Sequence, residues 1–273
     1  MKQIMQSSRS KYLGFFLIVL SSLSSCKDEN GNIVLFSIQN DKDLGIQVSE
    51  QINNDPQFVQ LSRTDYAESY AYLDNMVDAI LNSGEVVYRD EFVWQVTILE
   101  GDVLNAFATP GGYIYVYTGL IKFLEQSDDL AGVIGHEIAH ADLRHTSRNL
   151  QQTQGVQILL SIILGQNAGA LAEVAGQVAG TVAGLSFSRE FETEADARAV
   201  EYNASTVYAC DGVKNFFQKL EDSGSTGGTP EFLSTHPDPG NRIAAITAKA
   251  NEINCDTEPL ADEEYVDFQN SLP

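Results

Sequence analysis

The chain has 273 residues, 43% of them hydrophobic, which suits one globular domain with extensions and excludes a disordered polymer. Sixteen Lys and Arg stand against 38 Asp and Glu, a net charge of −22, so no basic stripe is available for nucleic-acid phosphates or for docking on anionic lipid. The acid excess serves solubility and says little about substrate.

The N-terminus reads as a targeting segment. Lys2, Arg9 and Lys11 precede YLGFFLIVL, an apolar run too short to span a bilayer comfortably. Leu23-Ser24-Ser25-Cys26 then closes it in the manner of a bacterial lipobox. The expectation is a lipoprotein signal peptide over 1–25, a lipidated Cys26 and a tether over 26–38. The alternative is an ordinary secretory signal with an incidental cysteine. Either way the protein is exported; with lipidation it is anchored to the cell envelope, on the periplasmic or the surface face of the outer membrane. Lys27-Asp28-Glu29-Asn30 fits a surface-export signal or a plain polar tether, and both stay open.

A domain is expected over 39–255. Apolar steps of three and four predict helices over 41–52, opening on Asp41 as a cap, and over 64–82. FVWQVTIL (92–99) alternates, with Trp94, Val96 and Ile98 facing one way. VLNAFATPGGYIYVYTGL (103–120) is two β-rich runs broken by Pro110-Gly111-Gly112, which predicts a small antiparallel sheet with a tight turn. From Ser127, with two aspartates in the first turn, the chain reads as helical in pieces to about 203, then over 212–222 and 239–253. Residues 156–188 carry one charge, Glu173, and place Gly176, Gly180 and Gly184 four apart. A buried or lid-like helical pair is expected there, with a membrane hairpin as the alternative. Residues 256–273 read as an acidic, exposed or loosely docked tail. Cys210 and Cys255 lack metal-ligand spacing, and an even pair in an oxidising compartment predicts a disulfide. The fold class is α+β and mainly α-helical.

Three of the four histidines lie in GHEIAHADLRH (135–145). His136 and His140 project from one helical face within about 40° of each other, and Glu137 sits about 100° round, within reach of a water on the same ion. A catalytic zinc takes three protein ligands and keeps one position open. His145 does not fit as the third: on a continuous helix it points away, and the Gly and His of the three-histidine zinc pattern are replaced by Leu143 and Thr146. It is expected near a helix C-terminus, where a partial positive charge is welcome. In SREFETEADAR (188–198), Glu192 and Asp196 share a face. Glu192 then completes the ligand set, and Asp196 accepts the free N–H of a zinc-bound histidine. His236, in the stiff loop STHPDPGNR with Arg242 beyond it, is a candidate donor to a developing oxyanion.

HEIAH, SREFETEAD and HPDPGNR, together with NAFATPGGYIYVYTGL, resemble family 48 of the metallopeptidases, a group that includes the CAAX prenyl proteases. The resemblance spans roughly residues 40–250. It implies a gluzincin fold, with the HExxH helix beside the small sheet, and one zinc per chain on His136, His140 and Glu192. It further implies Glu137 as general base, and Asp196 and Arg242 behind the ligands. His236 would stabilise the tetrahedral intermediate, or occupy the open metal position and hold the enzyme off. Asn105, Ala106, Phe107 and Ala108 resemble the edge strand that grips extended substrate. The long apolar spans of the membrane-embedded members are missing, which favours unfolded or misassembled envelope polypeptides over prenyl-proteins as substrates. The alternative is a chaperone-like outer-membrane assembly lipoprotein with a latched site, working with envelope assembly partners.

Overall fold

The computed structural model describes residues 34–154, 162, 168–181, 186–223, 231–237 and 240–273. The expected signal peptide, Cys26 and most of the expected tether lie outside the described residues. The end of the tether does not: Val34 and Phe36 are buried in the fold, 1% exposed each. Helix α1 (Ile38–Asn54) starts three residues before the predicted Asp41 cap. Ser37 takes that role, in a reciprocal capping box with Asn40. Asp41 lies inside the first turn, buried against Arg144 and Ser147.

Helix α2 (Ala67–Leu81) leads to a three-stranded sheet of β1 (Gln95–Leu99), β2 (Ala106–Thr109) and β3 (Tyr113–Tyr117), in the order β1-β3-β2. The β2–β3 hairpin is antiparallel, with Ala108 opposite Ile114, and Gly111 and Gly112 turn it at φ 77° and 90°. β1 departs from the expected antiparallel sheet and joins β3 in parallel, Val96 beside Ile114. Pairing of this kind depends on where the chain re-enters the sheet, which strand periodicity does not encode. Val96 and Ile98 enter the main core as the alternation predicts; Trp94, at φ 48° just before the strand, packs on the same core. Leu99, Phe107 and Tyr115 face a second core built on α1.

After α3 (Thr118–Phe123) comes α4 (Ser127–Asp142), whose sixteen residues are all buried. Its cap is Gln126 rather than Ser127. Asp128 accepts the backbone N–H groups of Ala209 and Leu260 (2.5 and 3.0 Å), so it holds two later loops as well as serving the helix end. A helix buried on every face belongs in the middle of a fold. Around α4 stand α2, β2, α7 (Arg189–Asn203) and α8 (Val213–Ser223). Gly132 permits one of these approaches: a Cβ there would lie 2.2 Å from the Val213 nitrogen.

Helix α5 (His145–Thr153) follows α4 after a break at Arg144. Helix α6 (Ala168–Thr181) is the main described part of the glycine-rich region. It packs Val174, Ala175 and Val178 on Leu44, Val48 and Ile52 of α1, so this part is a half-buried helix of the second core. Gly176 meets Gln51, Gly180 meets nothing, and Gly184 lies outside the described residues. Among the described residues no helix is long and apolar enough to cross a membrane. The chain closes with α9 (Glu231–Thr235), α10 (Arg242–Ile253) and α11 (Glu264–Ser271). The expected loose tail is instead docked: Tyr265, Phe268 and Leu272 are buried in the main core, and Phe268 stacks on Tyr72 at 4.5 Å. A disulfide joins Cys210 to Cys255.

Candidate metal centre

The consecutive turns of α4 put His136 and His140 side by side, with their Nε2 atoms 3.0 Å apart. Helix α7, capped by the Ser188 hydroxyl on the Phe191 N–H, crosses α4 and delivers Glu192 from its first turn. The segment after α9 brings His236 over the same point. His236 Nδ1 lies 3.3 Å from His136 Nε2 and 3.2 Å from Glu192 Oε1. Glu192 Oε1 is 3.5 Å from His140 Nε2, and Glu192 Oε2 is 3.4 Å from His136 Nε2. All four residues are buried.

The donor set fits zinc. Four ligands about 2.0–2.1 Å from a tetrahedral ion stand about 3.4 Å from one another, and imidazole with carboxylate is a normal zinc donor set. The contacts given above run from 3.0 to 3.5 Å, and one donor atom from each of the four residues lies within 4.8 Å of all the others. Glu137, fully buried on the same helix, offers two oxygens that accept no well-aligned hydrogen bond. His236 Nε2 stands 3.5 Å from one of them, and the Ala108 backbone N–H adjoins the carboxyl. Burial pushes the Glu137 carboxyl up to about 8, with Glu192 raising it further and His136 opposing.

Behind the ligands, Asp196 takes His136 Nδ1 at 3.0 Å, leaving Nε2 to face the cluster. Arg242 grips Asp196 through Nε (2.7 Å) and Nη2 (2.5 Å), and its Nη1 lies 3.1 Å from Glu192 Oε2. Burial would raise both carboxyls, but Arg242 and His136 beside Asp196, and His236, His136 and His140 around Glu192, hold them below the usual range. For His136, burial pulls the pKa down and the Asp196 and Glu192 contacts more than reverse it. His140, buried among other imidazoles, is held well below its ordinary value.

His145 is not at a helix C-terminus. Arg144 adopts φ 58°, α4 stops, and His145 opens α5. That break returns its ring beneath His140, Nδ1 to Nδ1 at 2.8 Å, with Nε2 3.0 Å from Glu194. Burial pushes His145 down to about 4 against the pull of Glu194.

β2 is the sheet's edge. Tyr117 donates to the Asn105 carbonyl at 3.2 Å, which fixes Asn105, Phe107 and Thr109 as the positions bonded to β3. Ala106 and Ala108 therefore turn their backbone groups outward, and Ala108 reaches Glu137. Phe107 points away to stack on Tyr115, and Asn105 is buried. The Leu104 carbonyl accepts the Phe232 N–H at 3.1 Å, so the segment carrying His236 is pinned to the start of this edge.

Sequence reasoning passed over three phenylalanines. Phe187 stacks on His140 (4.1 Å), Phe191 on His145 (4.5 Å) and Phe232 on His236 (4.3 Å). The signal was available, since each lies within five residues of Glu192 or His236. Aromatic residues beside a polar motif nevertheless read first as ordinary core.

Residues 67–250 match the family described as Peptidase family M48. The Beta-barrel assembly-enhancing protease of Yersinia pestis is 31% identical over 166 residues, covering 57% of this chain and 34% of that protein. The Mitochondrial metalloendopeptidase OMA1 of Saccharomyces cerevisiae is 30% identical over 195 residues, covering 67% of this chain and 53% of that protein. The OMA1 of Arabidopsis thaliana is 29% identical over 199 residues, covering 72% and 37%. The chain thus spans about a third to a half of the length of these relatives.

Proposed function

Since this chain belongs to peptidase family M48, we propose that it is a zinc-dependent endopeptidase, with His136, His140 and Glu192 holding one metal ion and Glu137 acting as general base. The observation that carries the reading is the convergence of those three ligands around one point beside a buried, hydrogen-bond-poor Glu137. Zinc bound there would polarise the scissile carbonyl and acidify a water. Glu137, buried beside the cluster, accepts the proton of the attacking water and hands it to the leaving amine. Asp196 fixes the His136 tautomer, and Arg242 keeps Asp196 ionised and in place. The outward backbone of Ala106 and the outward carbonyl of Ala108, whose N–H is turned to Glu137, pair with an extended peptide, which brings its carbonyl to the cluster.

Glu137→Gln is expected to retain zinc and lose at least about 10²-fold in casein cleavage. Proteolysis undiminished in that variant would sink the assignment.

The position of His236 favours a second reading of the resting state. Its Nδ1 lies close to His136 and Glu192, so with zinc bound it would serve as a fourth ligand, and its ring would exclude both water and substrate carbonyl. In a latched enzyme, His236→Ala raises basal casein cleavage. In an enzyme that uses His236 only as an oxyanion donor, the same change lowers it by about 10²–10³-fold. A site that stays silent in both forms would support the chaperone-like alternative.

The substrates we assign are unfolded or misassembled envelope polypeptides, and the role is protein quality control. The protein would be exported and anchored by lipid on Cys26, with the domain facing the periplasm or the cell surface. The similarity to a bacterial protease named for β-barrel assembly supports the envelope setting. A Cys26→Ser variant that stayed in the membrane fraction would contradict the anchor.

A further inference from the structure

His145 is one of four histidines in the chain, and none of the roles above uses it. We infer that His145 is a positioning residue that fixes the tautomer of the ligand His140 through a Glu194–His145–His140 relay. The inference rests on the metal-centre reading above.

His140 presents Nε2 to the cluster, 3.0 Å from His136 Nε2 and 3.5 Å from Glu192 Oε1. A ligating imidazole nitrogen carries no proton, so the proton of neutral His140 belongs on Nδ1. The atom facing that proton, at 2.8 Å, is His145 Nδ1. For it to accept, His145 must be neutral with its own proton on Nε2, and Nε2 is aimed at Glu194 Oε2 at 3.0 Å. Arg148 clamps Glu194 at 2.6 Å and keeps it an acceptor. One assignment of protons satisfies every contact in the row.

The arrangement is built. His145 is fully buried, its ring lies flat on Phe191 (9° between planes), and the left-handed Arg144 breaks the chain between α4 and α5 just before it. The two ligand histidines are therefore supported differently. His136 has a carboxylate directly on Nδ1, whereas His140 has its carboxylate one imidazole further away. Glu194 and Asp196 both come from the helix that carries the ligand Glu192, so α7 orients the whole set.

The test is zinc affinity of the purified full chain, measured by competition with a chromophoric chelator, alongside the melting temperature of the metal-free protein. His145→Phe keeps the ring stack and strands the His140 N–H. It is expected to lose about 10–100-fold in zinc affinity while the metal-free melting temperature holds. His145→Asn places an amide oxygen near the Nδ1 position and is expected to recover most of that loss. Glu194→Leu leaves His145 in place, removes its acceptor, and is expected to weaken zinc in the same direction; it serves if the Phe variant does not fold. Wild-type affinity in His145→Phe or Glu194→Leu overturns the relay and leaves the metal centre standing. An Asn variant no better than Phe also overturns it. A wild type that binds no zinc overturns the metal centre, and the relay with it.

Discussion

Arg242 touches more of the centre than any motif suggests: it grips Asp196 with two nitrogens, lies against Glu192, and sets its guanidinium 3.9 Å over the Phe217 ring. Removing one partner of a buried, hydrogen-bonded ion pair strands the other charge and costs about 3–5 kcal/mol. Arg242→Leu is therefore expected to lower the urea-unfolding free energy of the metal-free protein by about that amount; an unchanged midpoint would contradict the role. At this scale much of the site is legible in the sequence, because His136/His140 and Glu192/Asp196 are each four apart and helical geometry fixes what four apart means. The place of His145 is not legible. It depends on a left-handed Arg144, and Arg lacks the Gly or Asn signature that announces such a turn. His236 was visible as a lone histidine in a proline-rich loop, but its distance from Glu192 is set by tertiary packing.

Neighbouring chain comes very close to helix α4 at two glycines. Gly132 meets the backbone at Val213, and Gly212 meets the Asp128 carbonyl, so one short loop leans on the helix from both sides of a contact. Gly132→Ala improves intrinsic helix propensity but forces a Cβ to within 2.2 Å of a backbone nitrogen. Overpacking wins: a net loss of about 1–3 kcal/mol is expected in chemical denaturation, and a gain in stability would show the contact to be slack. Helices α1 and α2 follow from apolar periodicity, with ends displaced where capping chemistry differs, as Ser37 shows. The parallel placement of β1 does not follow, since partner choice is a long-range matter. Helix α11 was within reach: Tyr265, Phe268 and Leu272 step by three and four, a core stripe masked by the acids between them.

For the molecule as a whole, the Cys210–Cys255 bridge closes a 45-residue separation and ties the loop that backs α4 to the end of α10. Limiting the unfolded chain over such a span contributes about 2–4 kcal/mol. A Cys210→Ser, Cys255→Ser double variant is expected to unfold at lower urea by that margin while keeping its zinc; zinc loss would mean that the bridge shapes the site directly. The sheet stands between two cores, the α1 side and the α2 and α4 side, and the metal centre sits where α4, α7 and the His236 segment meet. The central claim is that Glu192, more than fifty residues from the HEIAH helix, completes the ligand set. Anomalous diffraction at the zinc edge from crystals of the metal-loaded protein tests it most directly. The account predicts a peak about 2.0–2.2 Å from His136 Nε2, His140 Nε2 and a Glu192 oxygen. A peak bonded to His145, or one that leaves Glu192 out, would contradict it.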